Sequence, residues 1–487
     1  MNRLIGLFLL TCAILPAEAQ RVLNLDSCRA MALRNNKQMS VQRVKQDVAK
    51  NIRKAARTKY LPHVSAVGGY LYTSKEISLL SDDNKDALSN LGTNSVDQLQ
   101  TGLSTAMPVL STLFGGTAPV MAMMNGMAGS LNQIGQHIVD EFRTDTRHMF
   151  GGSIYLTQPV FMGGAIIAMN KMADLGEDLA ANSADARRQE TLYQIDQAYW
   201  QVVSLRHKQK LAESFLDLVK KLDGDVQKMI REGVATRSEG LSVSVKVNEA
   251  EMAVMKVNDG LTLSKMLLCQ LCGLPVDEQV TLADEEAEEI AAVGPAETFQ
   301  KSDYLENRPE LKMLQNVVDI NRQATNILKA GNLPQVLLMA GYTASNPNVY
   351  NGFQHRFSGA WNIAVMMRIP IWNWGDVAYK VRAAKGATTI ANLEMEEARE
   401  KMELQVSQST FRVNEANKKL LLAQASQQRA DENLRMANLG FKEGVISSTT
   451  VMEAQTAWLQ AQSQRIDAEI DVQLSRVNLQ KSLGTLR

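Results

Sequence analysis

The sequence has 487 residues, with 52 basic and 52 acidic side chains, 45% hydrophobic residues and only 5% aromatic ones. Balanced charge excludes the electrostatic footprint of a nucleic-acid binder, and five histidines with four cysteines argue against a fold framed by metals or disulfides. The length fits two or three ordinary domains or one very elongated one.

In chain order the first element is a leader. MNRLIGLFLLTCAILPAEAQ carries Arg3, an apolar run and Ala17-Glu18-Ala19, the pattern of a secretory signal peptide over 1–19. Cys12 follows Leu10-Thr11, a poor fit to a lipoprotein signal. Beyond the leader no run of about 20 apolar residues remains to form a membrane helix. An exported chain of this kind can enter a membrane only through β-strands.

The mature sequence then repeats itself. KYLPHVSAVGGY (59–70) matches GNLPQVLLMAGY (331–342) at an offset of 272, whereas REGV (231–234) matches KEGV (442–445) at an offset of 211. Pro159 with Pro370, Gly164 with Gly375, and Gly273 with Gly484 keep the shorter offset. The difference of 61 residues is therefore an insertion between Tyr70 and Pro159. A period near two hundred residues is too long for a solenoid and reads as a tandem duplication.

Each half has the same predicted order. The first repeat, 20–273, holds a helix, strands over 60–73 and 150–161 with an inserted external loop at 74–149, a long helix over 163–232 and a return helix over 236–272. A connection over 274–302 follows, and its DEEAEEIAA run (284–292) reads as a solvated segment. The second repeat, 303–487, holds a helix, strands over 333–345 and 357–371, a long helix over 374–442 and a return helix over 447–484.

In FSGAWNIAVMMRI, Phe357, Gly359, Trp361, Ile363, Val365, Met367 and Ile369 share one face, and Ser358, Asn362 and Arg368 lie on the other. Such alternation over about a dozen residues suits a transmembrane β-strand, with Trp361 near one interface and Trp372 and Trp374 near the other. Four strands cannot close a barrel, for which about eight are needed, so a membrane placement demands an oligomer. The helices carry heptad seams. Val247, Ala250, Val254, Val257, Leu261, Ser264, Leu268 and Leu271 form one, and a longer one runs from Met402 through Val406, Ser409, Val413, Ala416 and Leu420 to Phe441. Seams of this spacing predict coiled-coil packing.

Taken in order, LNLDSCRAMALRNNKQM, the two LPxV…GY strand starts, PVFMGG with PIWNWG, the two tip turns and the ending VNLQKSLGTL resemble the TolC family of outer-membrane efflux and secretion channels. The resemblance covers the whole mature chain. It implies an α+β membrane protein: a homotrimer in the outer membrane of a Gram-negative bacterium, with a twelve-stranded β-barrel continued by a long α-helical coiled-coil tunnel in the periplasm. The 274–302 segment becomes its equatorial connection. Implied partners are a periplasmic adaptor (membrane fusion protein) and an inner-membrane pump of RND or ABC type. The function implied is an exit duct, with no catalytic residues, cofactor or metal.

Site residues follow from the tips. Gly233 and Gly444 suit a left-handed helix end, and Thr236-Arg237-Ser238-Glu239 reads as a capping box. By the resemblance, Glu239, Thr450 and Glu453 fall at the tunnel-entrance gate, where the family pattern has acidic residues; Thr450 departs from it. Arg231, Gly233, Val234, Arg237, Lys442, Gly444, Val445 and Ser447 are the expected adaptor-contacting tips, and Trp361, Trp372 and Trp374 the membrane-interface girdle.

Two features stand apart. Cys269-Gln-Leu-Cys272 lacks the second cysteine pair or clustered histidines of a zinc site and is read as structural. From Gln98 to Val139 no charged residue occurs, Met107, Met121, Met123, Met124 and Met127 crowd together, and Pro108, Gly115-Gly116 and Pro119 break any spanning helix. Thioethers can bind Cu(I), and some members of the resembled family export copper or silver, but methionine equally serves as adaptable packing. The competing readings are a periplasmic adaptor, which has one coiled-coil hairpin without strand pairs, and a structural coiled-coil protein, which needs no strands.

Overall fold

The computed structural model describes residues 21–102, 104, 106–113, 116–287, 290–292, 294 and 306–486. The expected leader, 1–19, lies outside the described residues. In chain order the elements are β1 (Arg21–Leu23), α1 (Leu25–Asn35), α2 (Lys37–Arg57), β2 (His63–Tyr72), α3 (Asp82–Ser89), α4 (Leu91–Gly102), α5 (Met107–Leu113), α6 (Thr117–Glu141), β3 (His148–Met162), α7 (Ala165–Arg231), α8 (Arg237–Cys272), β4 (Val280–Leu282), α9 (Pro309–Lys329), β5 (Gln335–Asn346), β6 (Ser358–Arg368), α10 (Asp376–Lys442) and α11 (Ser448–Ser482). Two units result: a sheet unit (Arg57–Ile166 and Lys329–Val377) and a mainly helical unit drawn from the rest.

In the sheet unit, β2, β3, β5 and β6 form one four-stranded antiparallel sheet in that order. Its register sorts the side chains by chemistry. Trp361, Ile363, Val365 and Met367 lie opposite Tyr342, Ala340, Leu338 and Val336, and these continue across the sheet to Ile154, Leu156 and Val64. The other face holds Ser65, Ser153, Tyr155, Thr157, Thr343, Asn362 and Arg368. A β-bulge between Pro159 and Phe161 absorbs the proline, which has no amide to give to the ladder. Each long helix is entered through a left-handed pair, Gly163-Gly164 in the first half and Trp374-Gly375 in the second. At Gly163 a Cβ would lie 2.8 Å from the Ala330 carbonyl oxygen, so glycine is required.

The external loop expected over 74–149 has secondary structure of its own. Its described residues include helices α3 to α6. Pro108 and Pro119 stand in the first turns of α5 and α6, where a missing amide costs nothing, so the segment is divided into separate helices that start at the prolines. Met107 and Met124 pack there with Val96 and Val120, while Met123 and Met127 are exposed.

In the helical unit, α7 and α10 each have 67 residues, about 100 Å of helix. The α10 seam is buried at Met402, Val406, Ser409, Val413, Ala416, Leu420, Ala423, Leu434 and Ala437, and half-buried at Gln427, Ala430 and Phe441. On α8, only Ala250, Leu261 and Leu268 of the expected seam are fully buried. The main core gathers Ile195, Tyr199, Val202 and Val203 of α7 with Leu268 of α8, Cys28 of α1 and Leu282 of β4. The connection after α8 also corrects the sequence reading. It is pinned down instead of solvated: β4 pairs in parallel with β1, Asp284 accepts a 2.5 Å bond from Tyr199, and buried Glu285 meets Lys265 at 3.0 Å. Glu286 binds Arg206 and Lys210. Glu288 and Glu289 lie outside the described residues.

Candidate functional site at the helix tips and the sheet faces

Both tips close in the same way. The Val234 amide bonds the Met229 carbonyl oxygen at 2.9 Å around left-handed Gly233, and the Val445 amide bonds that of Gly440 at 2.8 Å around Gly444. These six-residue closures satisfy carbonyls that a helix end would otherwise leave open. Beneath the turns, Leu222 and Val226 of α7, Val243 of α8, Leu434 and Ala437 of α10, and Val451 and Ala454 of α11 share one apolar core. The four helix ends are therefore a single packed body. Its turns present Val234 (70% exposed) and Val445 (81%) to solvent, together with exposed Arg231, Arg237, Lys442 and Ser447.

Glu239 and Thr450 are each the third residue of a return helix. The Thr236 side chain accepts the Glu239 amide at 3.2 Å, and the Glu239 carboxylate accepts the Thr236 amide at 2.7 Å, a complete capping box. In α11 only half of this exists: Ser447 Oγ accepts the Thr450 amide at 3.3 Å. Glu453, one turn further on, lines a groove of about 510 Å³ between α8 and α11. The groove is shared with Thr449, Met452 and the Lys246–Glu249 ion pair (3.0 Å). The three gate residues are thus divided between helix caps and this groove.

The sheet has a second concentration of chemistry. Toward the end that bears the insertion, the Tyr70 and Phe150 rings stand 4.9 Å apart, those of Tyr72 and His148 5.1 Å apart, and Tyr342 pairs with Trp361. Past the opposite end, Trp372 and Trp374 meet edge to face at 5.7 Å and both are exposed. The sequence reading named the three tryptophans but missed Tyr70, Tyr72, Phe150 and Tyr342. Alternation counted along β2, β3 and β5, as along β6, puts these rings on the apolar face.

Comparison with known proteins shows what these features are similar to. Residues 301–485 match the family model described as outer membrane efflux protein. The fold is similar to that of the outer-membrane channel OprN (TM-score 0.73, 14% identity, 95% of this chain and 90% of that one). It is also similar to the outer membrane protein VceC from Vibrio cholerae (TM-score 0.71, 14% identity, 94% and 96%) and to the CmeC outer membrane channel of Campylobacter jejuni (TM-score 0.71, 13% identity, 95% and 86%). At such identities the likeness establishes the fold. The comparison with curated proteins gave no match.

Proposed function

We infer that this TolC-like chain, with the fold of the outer-membrane channels and an outer membrane efflux protein domain in its second half, is the outer-membrane exit duct of a tripartite export system. The observation that carries the reading is the open sheet. It has an apolar face, a mixed face with Ser65, Thr157, Asn362 and Arg368, and two outer strands, β2 and β6, each paired along one side only. In a lipid bilayer such edges must be paired. Three copies joined β6 to β2 give twelve strands, with the apolar face toward lipid, the mixed face toward a lumen, and the aromatic clusters as girdles at the two interfaces. The matching order of elements in the two halves fits a tandem repeat.

In this reading the long helices of three copies form the periplasmic tunnel. An adaptor docks on the exposed turns around Arg231, Gly233, Val234 and Arg237 and around Lys442, Gly444, Val445 and Ser447. An inner-membrane pump of RND or ABC type drives the transport. Glu239, Thr450 and Glu453 surround the tunnel entrance. The test is fractionation followed by planar-bilayer recording: a heat-modifiable trimer in the outer membrane that conducts ions is expected, and recovery as a soluble periplasmic monomer would overturn the duct. Reversing charge at Arg231 and Lys442 together should abolish efflux while leaving the trimer in place; undiminished efflux would remove these residues from the docking surface.

A further inference from the structure

The described residues include three cysteines, Cys28, Cys269 and Cys272, all thiols and each no more than 1% exposed. Sequence spacing pairs Cys269 with Cys272, but the fold separates them. Both lie inside α8, and residues three apart on a helix hold their Cβ atoms about 5–6 Å apart, against roughly 3.8 Å across a disulfide. Cys269 turns toward the connection, where its thiol donates to the Glu278 carbonyl oxygen at 3.7 Å. Cys272 turns toward α1, where its thiol reaches the Cys28 carbonyl oxygen at 3.8 Å.

The Cys272 thiol also hydrogen-bonds to the Cys28 sulfur. That bond holds Cys28 below the usual thiol pKa, against burial and the Asp196 carboxylate, which push it up. Burial and the carboxylate of Glu278 push Cys269 up. The thiolate is the form that attacks a disulfide, and the contact between Cys28 and Cys272 shows which two sulfurs the fold brings together.

We propose that Cys28 and Cys272 are joined by a disulfide in the exported chain, with Cys269 left as the free thiol. The inference rests on the outer-membrane location of the protein, which routes it through an oxidising compartment, and not on its conducting anything. The oxidant is a periplasmic protein carrying an exchangeable disulfide. The thiolate of one of the two cysteines, written here as Cys28, attacks one sulfur of that donor and forms a mixed disulfide. The Cys272 thiolate then attacks the Cys28 sulfur and expels the donor as a dithiol. One S–S bond forms in the chain, the donor's bond is broken, its sulfurs take up the two electrons, and the thiol protons of the chain balance those of the released dithiol. Because the folded pair is closed to solvent, exchange occurs before α1 docks on α8. The bond ties residue 28 to residue 272 and so constrains the first half of the unfolded chain.

The experiment is thiol counting on the full-length protein extracted from outer membranes into an alkylating agent without reductant, then denatured and mapped by peptide mass spectrometry. The expected result is one alkylated cysteine, Cys269, and a peptide containing Cys28 linked to the one containing Cys272; reduction should raise the count to three. The linked peptide should persist in Cys269→Ser and vanish in Cys272→Ser. If Cys272→Ser does not accumulate, fragmentation of the wild-type linked peptide assigns the bond. Three alkylated cysteines in unreduced protein, or a bond between Cys269 and Cys272, would overturn the proposal, and neither result bears on conductance.

Discussion

Glu239 and Thr450 stand 211 residues apart at the same step of two return helices, and only one carries a carboxylate. In α8 the carboxylate is occupied by the Thr236 amide at 2.7 Å, so the helix cap alone accounts for it. The Thr450 and Ser447 hydroxyls share a hydrogen bond at 3.1 Å, and the cap is left half-made. Thr450→Glu should complete the box, stabilising the start of α11 by about 0.5–1 kcal/mol, seen as slower hydrogen exchange at its first amides. In the proposed trimer it would also add three carboxylates near Glu453. Blockage of single channels by multivalent cations should then strengthen in Thr450→Glu and weaken in Glu453→Gln, because a ring of like carboxylates attracts cations. Equal blockage in both variants and wild type would remove the ring. The α8 cap is legible in the sequence because a capping box spans four residues. The groove holding Glu453 was not, because Lys246 and Glu249 reach it from α8, about two hundred residues earlier.

At the scale of elements, the change in offset located the insertion, but its helices were missed. Pro108 and Pro119 forbid one continuous spanning helix, but in the first turns of α5 and α6 they also start helices, a role the sequence reading does not assign them. The packing explains why a stretch so rich in glycine still folds. A Cβ on Gly92 would lie 2.0 Å from the Ala128 carbonyl oxygen, and one on Gly135 would lie 1.8 Å from that of Leu88. These glycines let α4 and α3 approach α6 backbone to backbone, and Asn132 fixes the junction by accepting the amides of Gly92 (2.7 Å) and Thr93 (3.1 Å). Gly92→Ala combined with Gly135→Ala should therefore open the insertion, since helix backbone cannot yield as a side chain can. Overpacking of this kind costs about 1–3 kcal/mol per site. Limited proteolysis is expected to cut the variant between Thr73 and Arg147. The β2–β3 pairing should persist, because its last ladder bond, from the Thr73 amide to the Arg147 carbonyl oxygen at 2.9 Å, closes before the insertion begins. Protease resistance equal to wild type would show that the crossings can relax. The long α10 seam, by contrast, was legible almost residue by residue, since its apolar spacing decides which face is buried without reference to distant sequence.

At the scale of the whole molecule, the chain leaves apolar surface that its own core does not use. On α2, Val41, Val44, Val48 and Ile52 recur at helical spacing and all are exposed, Val44 at 62% and Val48 at 51%. Only Ala56 of that helix is buried. Leu241, Val245, Met252 and Met255 repeat the situation on α8. Burying one valine or leucine side chain is worth about 1.5–3 kcal/mol, so a stripe of four represents a large driving force toward a neighbour. The stripe is visible in the sequence, but its partner is not, because a single chain cannot show what a second copy covers. A second copy of the chain is the occupant we propose for the α2 stripe in the trimer. Val44→Asp combined with Val48→Asp would then place two carboxylates in a dry interface, where an unpaired charge costs several kcal/mol. The outer-membrane fraction should lose its heat-modifiable trimer band in that variant, while Lys45→Ala, an exposed polar position on the same helix, should keep it. A trimer band of normal intensity in the double variant would mean that the stripe faces something other than a second copy, and the sheet edges alone would then have to hold the assembly together.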